Sequence, residues 1–138
     1  MGRGKGDQYH REEHVEMVEV RREDFSVTEI VAKMKNPKIG AIVIYLGVVR
    51  EFPQGSGLEF EDRKEITQKL QQVEDRAIHR FDVEDIAIIH RVGSLSISDN
   101  ILLIAVSAPH RQAAFDACKH IVDKVKDLHR SWSKEICK

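Results

Sequence analysis

The sequence predicts an α+β domain, and three observations carry that prediction. Apolar, β-branched runs of strand length recur along the chain. Stretches with helical apolar spacing stand between some of them. Several neighbouring strand runs are separated by turns too short to hold a crossover helix, so those strands must pair antiparallel. The expected architecture is a largely antiparallel sheet with about three helices. At 138 residues, 41% of them apolar, the chain has the material for one core. A single domain is expected over residues 14–138, after a polar tail at 1–13 that holds three glycines and no apolar periodicity.

In chain order, a first strand is expected around Val15, Met17 and Val18 to Val20. Ser26 and Glu29 form a capping box ahead of Ile30, Val31 and Met34, which marks a short helix ended by Asn36-Pro37. Gly40 to Val49 reads as a buried strand. A loop with Pro53, Gly55 and Gly57 follows, and then Leu58 to Glu61 alternate as a short half-buried strand. Ile66, Leu70, Val73, Ala77 and Phe81 recur at helical spacing, so Lys64 to Phe81 is an amphipathic helix. Ile86 to Ile89 form a strand running into His90-Arg91-Val92-Gly93. Leu95 and Ile97 alternate before the turn residues Ser98-Asp99-Asn100. Ile101 to Ala108 is nearly all apolar, as a central strand requires. After Pro109-His110 a helix is expected from Arg111 to about Leu128. Its core stripe is Ala114, Cys118, Ile121, Val122, Val125 and Leu128. Residues 129–135 lack a second apolar stripe and are expected to be irregular.

Composition excludes several classes. The 22 basic and 23 acidic residues nearly cancel, and aromatic residues are few, which argues against a surface that tracks nucleic acid. No apolar run reaches the ~20 residues that span a bilayer, and the N-terminus lacks the apolar core of a signal peptide. A cytoplasmic protein without membrane contact is expected. Cys118 and Cys137 form no CxxC pair, and no Cys/His set has zinc spacing, so neither a metal nor a cofactor is expected. No GxGxxG or P-loop pattern occurs.

What remains is a scatter of cations at element ends. His110-Arg111 stands where a strand passes into a helix, and free N–H groups there suit an anion. Arg111 adds a planar fork for phosphate or carboxylate. Arg50 ends the long apolar run beside a Gly/Pro loop. Lys126 lies four residues after Val122 and borders the apolar stripe of the last helix. Lys134 follows the single tryptophan, Trp132. Taken one by one, each is also an ordinary surface cation. Together they describe a cationic pocket for an anionic ligand.

These residues fall in motifs that resemble one family. Ile89-His90-Arg91-Val92-Gly93, Val106-Ser107-Ala108-Pro109-His110-Arg111, Ala114-Phe115, Lys126 and Trp132 to Glu135 are similar to the large subunit of molybdopterin synthase. Gly40-Ala41-Ile42-Val43, Gly47-Val48-Val49-Arg50 and Leu58-Glu59-Phe60-Glu61 extend the resemblance upstream, so that it covers roughly residues 40–135. The resemblance implies an α/β-hammerhead-like fold and a homodimer of large subunits. It implies a small ubiquitin-like sulfur-carrier subunit at each end, whose C-terminal Gly-Gly is a thiocarboxylate. The implied reaction adds two sulfurs to cyclic pyranopterin monophosphate, a pterin phosphate, to form molybdopterin. Carried over position by position, Lys126 and Lys134 take catalytic roles. Val48, Val49, Arg50, His110, Arg111, Ser133 and Glu135 take substrate-binding ones.

The chain departs from the family pattern in places. Ser133 stands where a lysine usually follows the tryptophan, and Asp62-Arg63-Lys64 follows Glu61 where tyrosine and methionine are usual. The alternative reading is therefore a non-catalytic homologue that keeps the fold and carrier binding.

Overall fold

The computed structural model describes residues 17–137. The expected tail at 1–13 and Val15 lie outside the described residues. The elements are β1 (Met17–Arg21), α1 (Val27–Met34), β2 (Ala41–Val48), β3 (Gly55–Phe60) and α2 (Lys64–Arg80). They continue with β4 (Asp85–Arg91), β5 (Gly93–Ser96), β6 (Asn100–Ala108), α3 (Arg111–Trp132) and β7 (Ser133–Cys137). The class is α+β, with three helices among the described residues. Ser26 is the N-cap of α1 as the capping box requires, and its hydroxyl accepts from the Glu29 N–H at 3.2 Å.

Two sheets form. One has the order β1-β4-β6-β2, the other β5-β3-β7. All pairings are antiparallel except β1 with β4. The chain passes from the first sheet to the second at Val92-Gly93, where Gly93 adopts φ +97°, a backbone that side chains rarely allow. That conformation gives the glycine of the His-Arg-x-Gly motif a local reason.

The near-continuous apolar runs of β4 and β6 follow from burial on both faces. Ile88, Leu102, Ile104 and Val106 pack with Leu70 of α2 and with Ile121 and Val125 of α3. On the opposite face Ala87, Ile89, Leu103 and Ala105 meet Phe25, Ile30 and Met34 around α1.

Two expectations need correction. β2 was expected to be a buried strand, but it lies at the edge of its sheet. Val43 and Tyr45 pack against the main core, while Ile44, Leu46 and Val48 are 38%, 42% and 47% exposed. Period-2 alternation puts these three on one face, and α1 is too short to cover them. The second correction is at the C-terminus. The last helix continues past Leu128 to Trp132, and residues 133–137 are a strand and not irregular. Trp132 is buried, four residues after Leu128, so it extends the same stripe by about one turn. Its Nε1 donates to the Glu61 carbonyl at 2.7 Å. β7 then pairs with β3, in the register Phe60 with Ser133, Glu59 with Lys134 and Leu58 with Glu135.

Candidate functional site

The cations at element ends fall into two groups. The first lines a cavity of about 360 Å³ between the end of β2, the β3–β7 ribbon and the last turns of α3. Lys126 and His129 enter from α3, one helical step apart on the same side. Tyr45, Val48 and Arg50 enter from β2 and the residues after it, and Glu135 from β7. The Lys126 ammonium stands 5.9 Å from the centre of the Tyr45 ring, within reach of its negative face. Arg50 is aimed by its neighbour. Val49 is buried in the core, its N–H donates to Asp99 O at 3.0 Å, and its carbonyl accepts from Ser98 N at 2.7 Å. With the backbone of Val49 anchored on both sides, the next side chain turns outward to the cavity. Phe52 closes another wall, and a Cβ on Gly55 would overlap its ring. This cavity therefore joins two cations, one carboxylate and an aromatic floor. A larger groove of about 480 Å³ between α1 and β2 has Lys35 as its single charged lining residue.

Behind the cavity sits a cluster of rings. His90 is fully buried, with its ring 4.3 Å from Trp132 and 4.7 Å from Phe60, centre to centre. Its Nδ1 lies 2.7 Å from the Arg91 carbonyl, and its Nε2 lies 2.8 Å from Nε2 of His129. Burial pushes His90 down to about 3, with the neighbouring His129 and Lys126 adding to the effect. Burial, and then Lys126, push His129 down to about 4. Both imidazoles are neutral at pH 7.

The second group lies at the far end of α3. His110 is its N-cap and makes no side-chain cap bond, and Arg111 is its first residue; both are exposed. Arg111 and Lys126 are fifteen residues apart, which on a helix is roughly 22 Å. One copy of the chain therefore does not bring His110 and Arg111 to the cavity that holds Arg50 and Lys126.

Around Trp132 the strand geometry separates three neighbours. Glu135 reaches the cavity beside Leu58. Lys134 lies on the opposite face of β7, where its ammonium is 3.7 Å from the Glu61 carboxylate. Ser133 caps α3, and its hydroxyl donates to the His129 carbonyl at 3.0 Å. Sequence reasoning missed Tyr45, Phe52 and His129 as cavity residues. For His129 there was a signal, its i+3 spacing from Lys126 on one helix face. It was hidden by ending the helix at Leu128. Among the described residues, no group of three or more His, Cys, Asp or Glu side chains is placed to hold a metal ion.

The family model described as MoaE protein matches residues 20–128. The molybdopterin synthase catalytic subunit of Pyrococcus abyssi is 38% identical over 118 residues, 83% of this chain and 80% of that protein. The catalytic subunit of Vibrio cholerae is 38% identical over 124 residues, 86% and 83% of the two chains. The crystal structure of molybdopterin synthase from Staphylococcus aureus superposes with a TM-score of 0.80 at 31% identity, covering 91% of this chain and 94% of that one. A complex of subunits 1 and 2 of the molybdopterin-converting factor from Helicobacter pylori shares the fold, with a TM-score of 0.56 at 16% identity over 87% and 89% of the chains.

Proposed function

The chain belongs to the MoaE protein family of molybdopterin synthase catalytic subunits, enzymes of molybdenum cofactor biosynthesis, and from that premise we propose how its residues transfer sulfur. The carrying observation is the cavity where Lys126 and Arg50 meet although they come from α3 and from the end of β2. The substrate proposed for it is cyclic pyranopterin monophosphate. The sulfur donor is the thiocarboxylated Gly-Gly tail of a small carrier subunit, a partner in keeping with the two-subunit complex to which the fold is similar.

Each role follows from charge and position. Arg50 presents a planar fork to the substrate phosphate. Attack by the thiocarboxylate sulfur develops negative charge on the substrate, and the Lys126 ammonium stands where it stabilises that charge. Val48 and the Tyr45 ring supply apolar wall for the pterin, and Val49 fixes the direction of Arg50 from behind. Glu135 and the neighbouring Ser133 border the opening between β7 and α3, the side assigned to the carrier tail. Lys134, turned toward Glu61, has no place in this cavity, so the catalytic lysine of the proposal is Lys126.

His110 and Arg111 enter through a second copy of the chain. Ile44, Leu46 and Val48 on the open face of β2 and Phe115 on α3, 58% exposed, are uncovered apolar side chains, and Ile44 and Phe115 line one shallow groove. A second copy on that face covers them. In the proposed dimer the N-terminal end of that copy's α3 completes the cavity of the first, with its anion-binding N–H groups and Arg111. The test is reconstitution: purified chain, thiocarboxylated carrier and cyclic pyranopterin monophosphate, with molybdopterin read as its oxidised fluorescent form. Product is expected. A folded chain that binds the carrier and forms none is the non-catalytic homologue that Ser133 raises as the alternative.

A further inference from the structure

His90, fully buried behind the cavity, and His129, half-buried in its wall, have a definite proton arrangement. A carbonyl oxygen only accepts, so His90 Nδ1, 2.7 Å from the Arg91 carbonyl, carries a hydrogen. His90 is neutral, so its Nε2 is bare. That bare nitrogen lies 2.8 Å from His129 Nε2, and the contact is a hydrogen bond only if His129 Nε2–H donates. His129 is then held in its Nε2–H form, and its Nδ1 keeps a free lone pair. Among the described residues Nδ1 of His129 has no hydrogen-bond partner, and the ring lines the cavity beside Lys126. The cavity, which also holds Arg50, Lys126, the Tyr45 hydroxyl and the Glu135 carboxylate, thus contains one neutral ring-nitrogen acceptor of fixed direction.

We propose that His129 is a substrate-binding residue whose Nδ1 accepts a hydrogen bond from an N–H or O–H group of the bound pterin, and that His90 is the positioning residue that fixes it in the accepting form. The inference rests on the reading of the cavity as the pterin site. A pterin carries amide, amino and ring N–H donors, whereas its phosphate offers only acceptors to the surrounding cations. His129 therefore selects the orientation in which the ring system, and not the phosphate, faces the last turn of α3. A site built to accept a substrate N–H discriminates against an analogue that lacks it, because the acceptor in the half-buried His129 ring then loses its ligand partner. The burial that keeps both imidazoles neutral also keeps Nδ1 from becoming a donor at pH 7.

The test joins imidazole ¹⁵N spectroscopy of the intact chain with steady-state kinetics. In the free protein His129 should show protonated Nε2 and bare Nδ1, and saturating cyclic pyranopterin monophosphate should move the Nδ1 resonance and not that of Nε2. His129→Phe should raise KM for the pterin about tenfold or more, the order lost with one buried hydrogen bond to a ligand, while KM for the carrier stays unchanged. His90→Phe, which frees His129 to exchange tautomers, should raise the same KM and leave the His129 ring nitrogens averaged. Should either variant fail to fold, the spectra of the unmodified chain decide alone. Nδ1 protonated in the free protein, or unmoved by saturating pterin, overturns the proposal. If the unmodified chain turns over while His129 stays silent, this inference fails and the function stands. If pterin shifts the Nδ1 resonance but no product forms, the catalytic reading fails and the binding role stands.

Discussion

At Lys126 the side chain is exposed and its ammonium sits over the Tyr45 ring, so truncation removes charge without opening the core. Lys126→Ala is expected to lower turnover by about a hundredfold or more, the usual cost of losing a charge-stabilising group. Its unfolding free energy from urea denaturation should stay within about 1 kcal/mol of the unmodified chain, as for other surface changes. Near-normal product formation by a folded variant would remove Lys126 from the mechanism. The ring pair predicts a pH dependence of stability. His90 and His129 titrate at about 3 and about 4 in the folded chain, below the ordinary value of 6.5. Below 6.5 the unfolded chain therefore binds more protons than the folded one, and stability rises with pH. Their contribution is present above 6.5 and is lost as pH falls toward 4. Between pH 7 and 5, above the range where exposed carboxylates titrate, denaturation should show stability falling by up to about 1.4 kcal/mol per pH unit per imidazole. A flat profile there would mean that the pair is not buried and neutral. Lys126 and Arg50 were legible as candidates because element ends can be read from apolar spacing. The ring pair was not, since His90 and His129 meet across 39 residues of chain with no pattern to announce it.

The elements differ in how plainly the sequence spells them. β4 and β6 are covered on both faces, and α2 shows its stripe without interruption, so all three stand out as apolar patterns. The end of α3 is masked by His129, Arg130 and Ser131, and its last anchor is Trp132, a residue just as well suited to capping a core from a loop. β7 owes its form to pairing with β3, a tertiary cause that five residues of mixed polarity do not reveal. That difference reverses an expectation. In an irregular segment Lys134 could stand in for a lysine one position earlier, but in a strand a one-residue step turns the side chain to the other face. Lys134→Ala is accordingly expected to keep near-normal turnover, and to cost under about 1 kcal/mol in stability through its exposed pairing with Glu61. A sharp loss of activity, measured with saturating carrier, would show that Lys134 leaves Glu61 and enters the cavity.

For the molecule as a whole, the α+β class and the short-turn, largely antiparallel connectivity were readable from the order of apolar runs. The edge position of β2 was not, because a central strand and an edge strand with one open face can carry the same apolar composition. Ile44, Leu46, Val48 and Phe115 are the residue-level trace of that ambiguity. In the proposed dimer Leu46 lies under the second copy, so Leu46→Glu is expected to give a folded monomer in sedimentation analysis that has lost molybdopterin formation. A monomeric but fully active variant would show that one copy suffices. The most direct test of a cavity completed by a second copy is complementation. Lys126→Ala and Arg111→Ala, each expected to be nearly inactive alone, are unfolded together, refolded and assayed with carrier and pterin phosphate. Half of the dimers are then mixed and each holds one intact cavity, so about a quarter of normal turnover should return. Recovery no greater than the sum of the two separate variants would contradict a site shared between copies.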